Sequence, residues 1–150
     1  MSSTVTSANA NRLEPHKALI QAFVDAWNTR NFDRFGDLMG DNAVLHIAGM
    51  DVPCHPAGTR AIAEEWTKAF PDWHFDLRAL IAEGDLVVAH MPYSGTHRQA
   101  IVGVPATGRS CLVDEIVIFR IESEKIGEAW EVYDEAGMWR QLGVAPPTAG

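Results

Sequence analysis

The sequence predicts an α+β domain in which helices from the first half pack on one face of a curved antiparallel sheet from the second half, forming a cone-shaped pocket. Apolar residues recur at three- and four-residue spacing up to Pro71, and from Asp72 onward the period becomes twofold. At 150 residues the chain has the size of one domain, long enough to bury roughly two thirds of its unfolded surface around one core. No linker or internal repeat divides it.

The first helix is expected to begin near Glu14-Pro15, with proline at a tolerated first position, and carries Leu19, Ile20, Phe23, Val24 and Trp27 along one face. Phe35 and Leu38 are spaced for one face of a short helix over residues 32–39, which Gly40-Asp41 ends. The alternation in NAVLHIAG predicts a strand, and the prolines and glycine of MDVPCHPAG predict a loop. A third helix is expected from Thr59 to about Ala69, with Ile62, Trp66 and Phe70 on one side and a stop before Pro71. Beyond it, WHFDLRALIAEG and LVVAHMPYSGTHRQ read as a hairpin turning at Glu83-Gly84-Asp85. GVPATGR reads as a loop, SCLVDEIVIFRI as one long strand, ESEKIG as a turn and EAWEVYD as a last strand, with EAGMWRQLG capping one end of the sheet. The domain is thus expected over residues 14–144, between flexible tails at 1–13 and 145–150.

A formal net charge of −8, with no cluster of Lys or Arg, makes nucleic acid an unlike partner for this surface. Two cysteines, Cys54 and Cys111, are too few for a disulfide scaffold and have no metal-ligand spacing. No stretch approaches the roughly 18 apolar residues of a membrane helix, and MSSTVTSANANRLEPHK has neither the basic nor the apolar region of a signal peptide. The expectation is a cytoplasmic protein that needs no membrane and no metal.

Strand parity selects pocket candidates. Val87, Ala89, Met91, Tyr93 and His97 share the more apolar face of the hairpin strand, which turns His97 inward. On EAWEVYD the same argument groups Trp130, Val132 and Asp134 as the buried face and leaves Glu131 and Tyr133 on the other. A carboxylate at the end of a buried face is costly to desolvate and tends toward a raised pKa unless paired. For SCLVDEIVIFRI the parity is ambiguous between the set of Glu115 and Val117 and the set of Asp114 and Ile116. Trp27, Trp66 and Trp130 are spaced as core residues, a role compatible with walling a flat ligand.

The series AFPDW, LIAEGD, Gly95-Thr96-His97, GVPATGR, IFRI, KIGEAW and D-x-x-G-x-x-x-QLG from Asp134 to Gly143 resembles the SnoaL-like polyketide or ester cyclases of the nuclear transport factor 2-like superfamily. The likeness runs from about Leu19 to Val144. It implies a cofactor-free intramolecular aldol ring closure on a polyketide ester, and usually a homodimer. The family's essential carboxylate falls on Asp134 and its GTH histidine on His97, as base and assisting group. Trp27 matches a position that shapes the cavity, His46 a first-strand site that is often polar, and Val117 a site where aromatic polyketide cyclases carry histidine. That last departure leaves room for Glu115 to act as a second carboxylate.

Each residue has a structural alternative. Asp134 can accept backbone hydrogen bonds in the turn into EAG, His97 can serve a loop carbonyl, His46 can be a core histidine, and Glu115 is expected at a turn-facing or solvated site. Two other functions share the fold: water activation in hydratase, epoxide-opening or hydroxylation chemistry, and plain sequestration of a small hydrophobic molecule.

Overall fold

The computed structural model describes residues 3–147, with side chains from Leu13 onward; residues 1–2 and 148–150, the outer ends of the expected tails, lie outside the described residues. Helix α1 spans Ser3–Asn28, so Pro15 sits inside it rather than in its first turn. Ile20, Phe23, Val24 and Trp27 form its buried face, as the spacing required. A 3-10 turn over Phe32–Arg34 and the single-turn α2, Phe35–Leu38, replace the expected short helix and bury Phe32, Phe35 and Leu38.

Strand β1, Met39–Ile47, turns through Ala48 and Gly49 (φ 52° and 77°) into β2, Met50–Pro53, where a loop was expected. Two successive positive φ angles make the tight hairpin turn whose twist suits antiparallel strands. Helix α3, Pro56–Ala69, starts with the His55 ring nitrogen Nδ1 accepting from Gly58 N at 3.1 Å and with Pro56 at its first position. The next strands are β3, His74–Phe75, β4, Ala79–Glu83, β5, Leu86–His90, and β6, Tyr93–Thr96. The single long strand expected over SCLVDEIVIFRI is two, β7, Ser110–Val113, and β8, Glu115–Glu122, broken at Asp114. Strand β9, Lys125–Tyr133, and helix α4, Glu135–Leu142, complete the chain.

These strands form a six-stranded sheet, β2-β1-β9-β8-β5-β4, and a three-stranded sheet, β3-β6-β7. All pairings are antiparallel except β1 with β9, which run parallel, so the expected antiparallel sheet is a mixed one. The break at Asp114 lets the chain leave the small sheet and enter the large one. Helices α1 and α3 cover the large sheet's concave face. The α+β class is the predicted one, with the curved sheet left open rather than closed into a barrel.

Side chains fasten the ends of this frame. The Asn28 amide brackets Phe75, donating to its carbonyl at 2.9 Å and accepting from its N–H at 2.8 Å. Arg30 donates to the carbonyls of Trp27, Pro71 and Trp73. The end of α1 is thereby tied to the segment carrying Trp73 and Phe75. Gln141 of α4 brackets Leu112 of β7 in the same way, at 2.9 and 3.0 Å. Gly95 lies against Phe70, where an added Cβ would sit 3.0 Å from that residue's Cβ. Phe70 is fully buried and has nowhere to retreat. Gly95→Ala should therefore lower stability by about 1–3 kcal/mol, measured as a shift of the urea midpoint.

Candidate active site

One cavity of about 250 Å³ lies between α1, α3 and the concave face of the large sheet, floored by β8 and β9. Its lining is mostly apolar and aromatic and, among the described residues, includes no Lys, Arg or His. The charged groups that line it are Glu115 and Glu131.

Register explains why the two carboxylates meet. Strand β8 pairs with β9 so that Glu115 opposes Tyr133 and Val117 opposes Glu131. Glu115 and Glu131 are then diagonal neighbours on one face, within reach of long side chains. Glu115 is the first residue of β8, and its carbonyl accepts from Met91 N at 3.0 Å. It is only 5% exposed, and burial, reinforced by the charge of Glu131, raises its pKa well above the ordinary carboxylate range. Burial pushes Glu131 up to about 7. No hydrogen bond contributes to either shift. Both carboxyls therefore keep a proton more readily than free ones do, and they titrate as a pair.

Around the pair stand groups held neutral. Burial raises the Tyr93 and Tyr133 hydroxyls, and it pushes the Cys54 thiol up to about 11. The Tyr93 hydroxyl donates to Met138 Sδ at 3.4 Å. Trp27, Trp73 and Thr59 line the cavity too, and their buried donors, the two indole Nε1–H groups and the Thr59 hydroxyl, have no hydrogen-bond partner among the described residues. An orphaned buried donor costs about 1–3 kcal/mol.

Of the residues predicted to face a pocket, Trp27, Trp66, Met91, Tyr93, Glu115 and Val117 do line it. Four do not. The parity assigned to β9 is inverted: Ala129, Glu131 and Tyr133 face in, and Val132 is 75% exposed on the convex side. Trp130 goes with Val132 and stacks on His46 at 5.3 Å, under the Arg120 guanidinium. His46 faces the same outer surface, bound to Asp51 at 2.7 Å and Glu128 at 2.8 Å, and those two hydrogen bonds, with Glu128 the larger influence, raise its pKa.

The Asp134 carboxylate is exposed and caps α4, accepting from Gly137 N at 2.9 Å. A Cβ at residue 137 would fall 2.0 Å from that carboxylate, which accounts for the D-x-x-G spacing as a helix cap with its glycine. His97 is inward and fully buried, yet outside the cavity: it stacks on Phe70 at 5.1 Å, its Nδ1 lies 3.2 Å from the Thr107 hydroxyl, and its burial lowers its pKa. Its main-chain N–H donates to Arg109 and its carbonyl accepts from Gly108, closing the loop over residues 98–108. Glu131 and Tyr133 are the site residues that sequence reasoning missed. The register partner of Glu115 was the signal that could have found them.

Residues 17–142 match the family model for SnoaL-like polyketide cyclases. The chain is 29% identical over 143 residues to the aklanonic acid methyl ester cyclase DauD of Streptomyces sp. (strain C5), covering 91% of this chain and 86% of that protein. It is 30% identical over 137 residues to the aklanonic acid methyl ester cyclase DnrD of Streptomyces peucetius, covering 87% and 92%. Among solved structures, TsrD from Streptomyces laurentii superposes with a TM-score of 0.79 at 30% identity, covering 88% of this chain and 97% of that one. No described helix is long and apolar enough to cross a membrane.

The raised carboxyls fix the sign of a stability effect. A carboxyl with a raised folded-state pKa binds its proton more tightly in the folded protein, so stability is lost as pH rises from the unfolded value of about 4.3 to about 7. Glu131→Gln should accordingly stabilise the protein by about 1–3 kcal/mol at about pH 8 and give no gain at about pH 4, as read by thermal melts at the two pH values.

Proposed function

This chain belongs to the SnoaL-like polyketide cyclase family, and from that premise we propose that it closes a ring in a hydrophobic carbonyl compound by an intramolecular aldol reaction without a cofactor. The observation that carries this reading is the pair of buried carboxyls on the cavity floor, Glu115 and Glu131, with no partner except each other.

In the proposed mechanism ionised Glu131 removes a proton from a carbon flanked by carbonyls. The electron pair left on that carbon is delocalised onto the neighbouring carbonyl oxygen, and the carbon attacks a second carbonyl in the same molecule to form the new C–C bond. The oxygen of that second carbonyl takes the proton of Glu115, which ends as the alcohol hydrogen. One proton has moved from carbon to oxygen, and transfer from Glu131 back to Glu115 restores the starting state. A free Glu is a weak base at neutral pH, and a pKa near 7 brings it into the range where base catalysis is efficient.

The original candidate base, Asp134, would have to abandon its cap on α4 to take part, and His97 would act only through the loop it anchors. Variants separate the two readings. Glu131→Gln should lower kcat by about 10²–10⁴-fold with binding retained, whereas Asp134→Asn, which keeps the cap, should stay within about threefold of the parent. The kcat/KM profile should rise through about pH 7 as Glu131 ionises and fall at higher pH as Glu115 loses its proton, and Glu115→Gln should remove the falling limb. Full turnover by Glu131→Gln with loss in Asp134→Asn restores Asp134 as base; turnover insensitive to all three variants overturns both assignments, and ligand binding without turnover in the parent leaves the cavity a binding module.

Self-association belongs to the same proposal. On the convex face Ile116 and Val132 sit opposite each other across β8 and β9, with Ile81 exposed at 65% on the edge strand β4. Contiguous apolar area of this kind favours pairing with a second copy. Val132→Glu should convert a homodimer to monomer in light-scattering measurements without altering the cavity.

A further inference from the structure

The cavity combines two features that act on charge in the same direction. Aromatic rings line it as one cluster: Trp73 stacks on Tyr93 at 4.2 Å, Trp27 lies 6.2 Å from Trp73, and Phe75 sets its ring edge-on to Trp27 at 5.4 Å. On β8 and β9 stand Glu115 and Glu131, with no hydrogen-bond partner among the described residues, and no described basic side chain lines the cavity. A ring face attracts a cation and repels an anion. So do the carboxylates.

We propose that this cavity is also a binding site for lipophilic monocations, ammonium groups with apolar substituents, which occupy it in competition with the carbonyl substrate and so inhibit turnover. The proposal rests on the reading of the cavity as the active site only for the inhibition; the binding follows from the lining itself. An apolar ammonium brings its own positive charge to the position otherwise served by a proton on the pair, while its alkyl and aryl groups replace water against the aromatic walls. Both carboxylates then ionise, so binding near neutral pH releases a proton. An anion of the same shape finds two like charges and no counter-ion.

Other groups facing the pair do not confuse the pH dependence. Tyr93 on β6 and Tyr133 on β9 are raised beyond the neutral range, and the thiols of Cys54 and of Cys111 on β7 are pushed up to about 11. Between about pH 5 and pH 9 the pair alone changes charge within the cavity.

The test is calorimetric titration of the full chain with benzyltrimethylammonium, its uncharged carbon isostere neopentylbenzene, and benzenesulfonate. Near pH 8 the ammonium should bind about ten-fold tighter than the isostere, and the sulfonate should not bind. The preference should shrink several-fold near pH 5, and near pH 7 the heat should depend on buffer ionisation in the sense of proton release. The double variant Glu115→Gln, Glu131→Gln should bind ammonium and isostere alike. Equal affinity for the two in the parent, a preference that ignores pH, absence of ammonium binding, or a preference that survives in the double variant overturns the proposal. If the double variant fails to fold, the pH dependence of the parent decides. Loss of turnover in Glu131→Gln without any charge preference would overturn this inference and leave the cyclase reading intact; charge-selective binding with no cyclase activity would do the reverse.

Discussion

Holding two carboxyls on adjacent strands, one buried and one half-buried, with no cation beside them among the described residues, is the constraint on which the rest of the structure depends. Each resists ionisation because of burial, and Glu115 resists it further because of Glu131. An arrangement so costly persists only where the surrounding structure leaves no alternative. Here the fixing elements are identifiable. The Asp114 break starts β8 at Glu115, the Met91 N–H clamps the Glu115 carbonyl, and Asp134 N donates to the Asp114 carbonyl at 3.1 Å. The aromatic walls supply the compensating burial. Trp27, Trp73, Phe75 and Tyr93 pack on one another as well as on the cavity, so the cost of the site is spread over the core.

Much of this was legible in the sequence, and where it was not the reasons are physical. The apolar face of α1 and the inward set from Val87 to His97 follow directly from period, because each has one apolar side. Strand β9 does not: its convex side carries Trp130 and Val132, so hydrophobicity chose the wrong face and turned Glu131 outward. Only cross-strand register with β8 corrects it, and register is a long-range property that no local window contains. The break at Asp114 has no glycine or proline to announce it. The β1–β2 hairpin was hidden because Ala48, not asparagine, takes the first positive φ of the turn. Asp134 is ambiguous for a different reason. A helix cap and a strand-end base look alike in sequence, and the glycine three residues on was the cue in favour of the cap.

Two side-chain amides do work that backbone pairing does elsewhere. Asn28 and Gln141 each supply one donor and one acceptor to an edge residue, as a neighbouring strand would. The first aligns α1 with β3, and therefore Trp27 with Trp73. The second fixes α4 to β7, with Gly143 in the left-handed conformation closing the helix. The D-x-x-G-x-x-x-QLG segment is thus a docking device from end to end: cap, glycine, amide bracket, buried leucine and stop. Its regularity reflects architecture, the bracing of the strands that line the cavity.

The parallel pairing of β1 with β9 has a consequence for how the protein comes into being. Residues near the start of the chain must wait for nearly the last strand before their sheet is complete, since β9 lies between β1 and β8. Loop closure over so long a segment is slow, and partly made sheets expose strand edges. On the ribosome, α1 and the β1–β2 hairpin emerge early with no sheet to receive them, and their apolar faces stay open until Lys125–Tyr133 has been synthesised. The strand that carries Glu131 is therefore also the keystone of assembly, so the cavity floor and a finished fold arrive together.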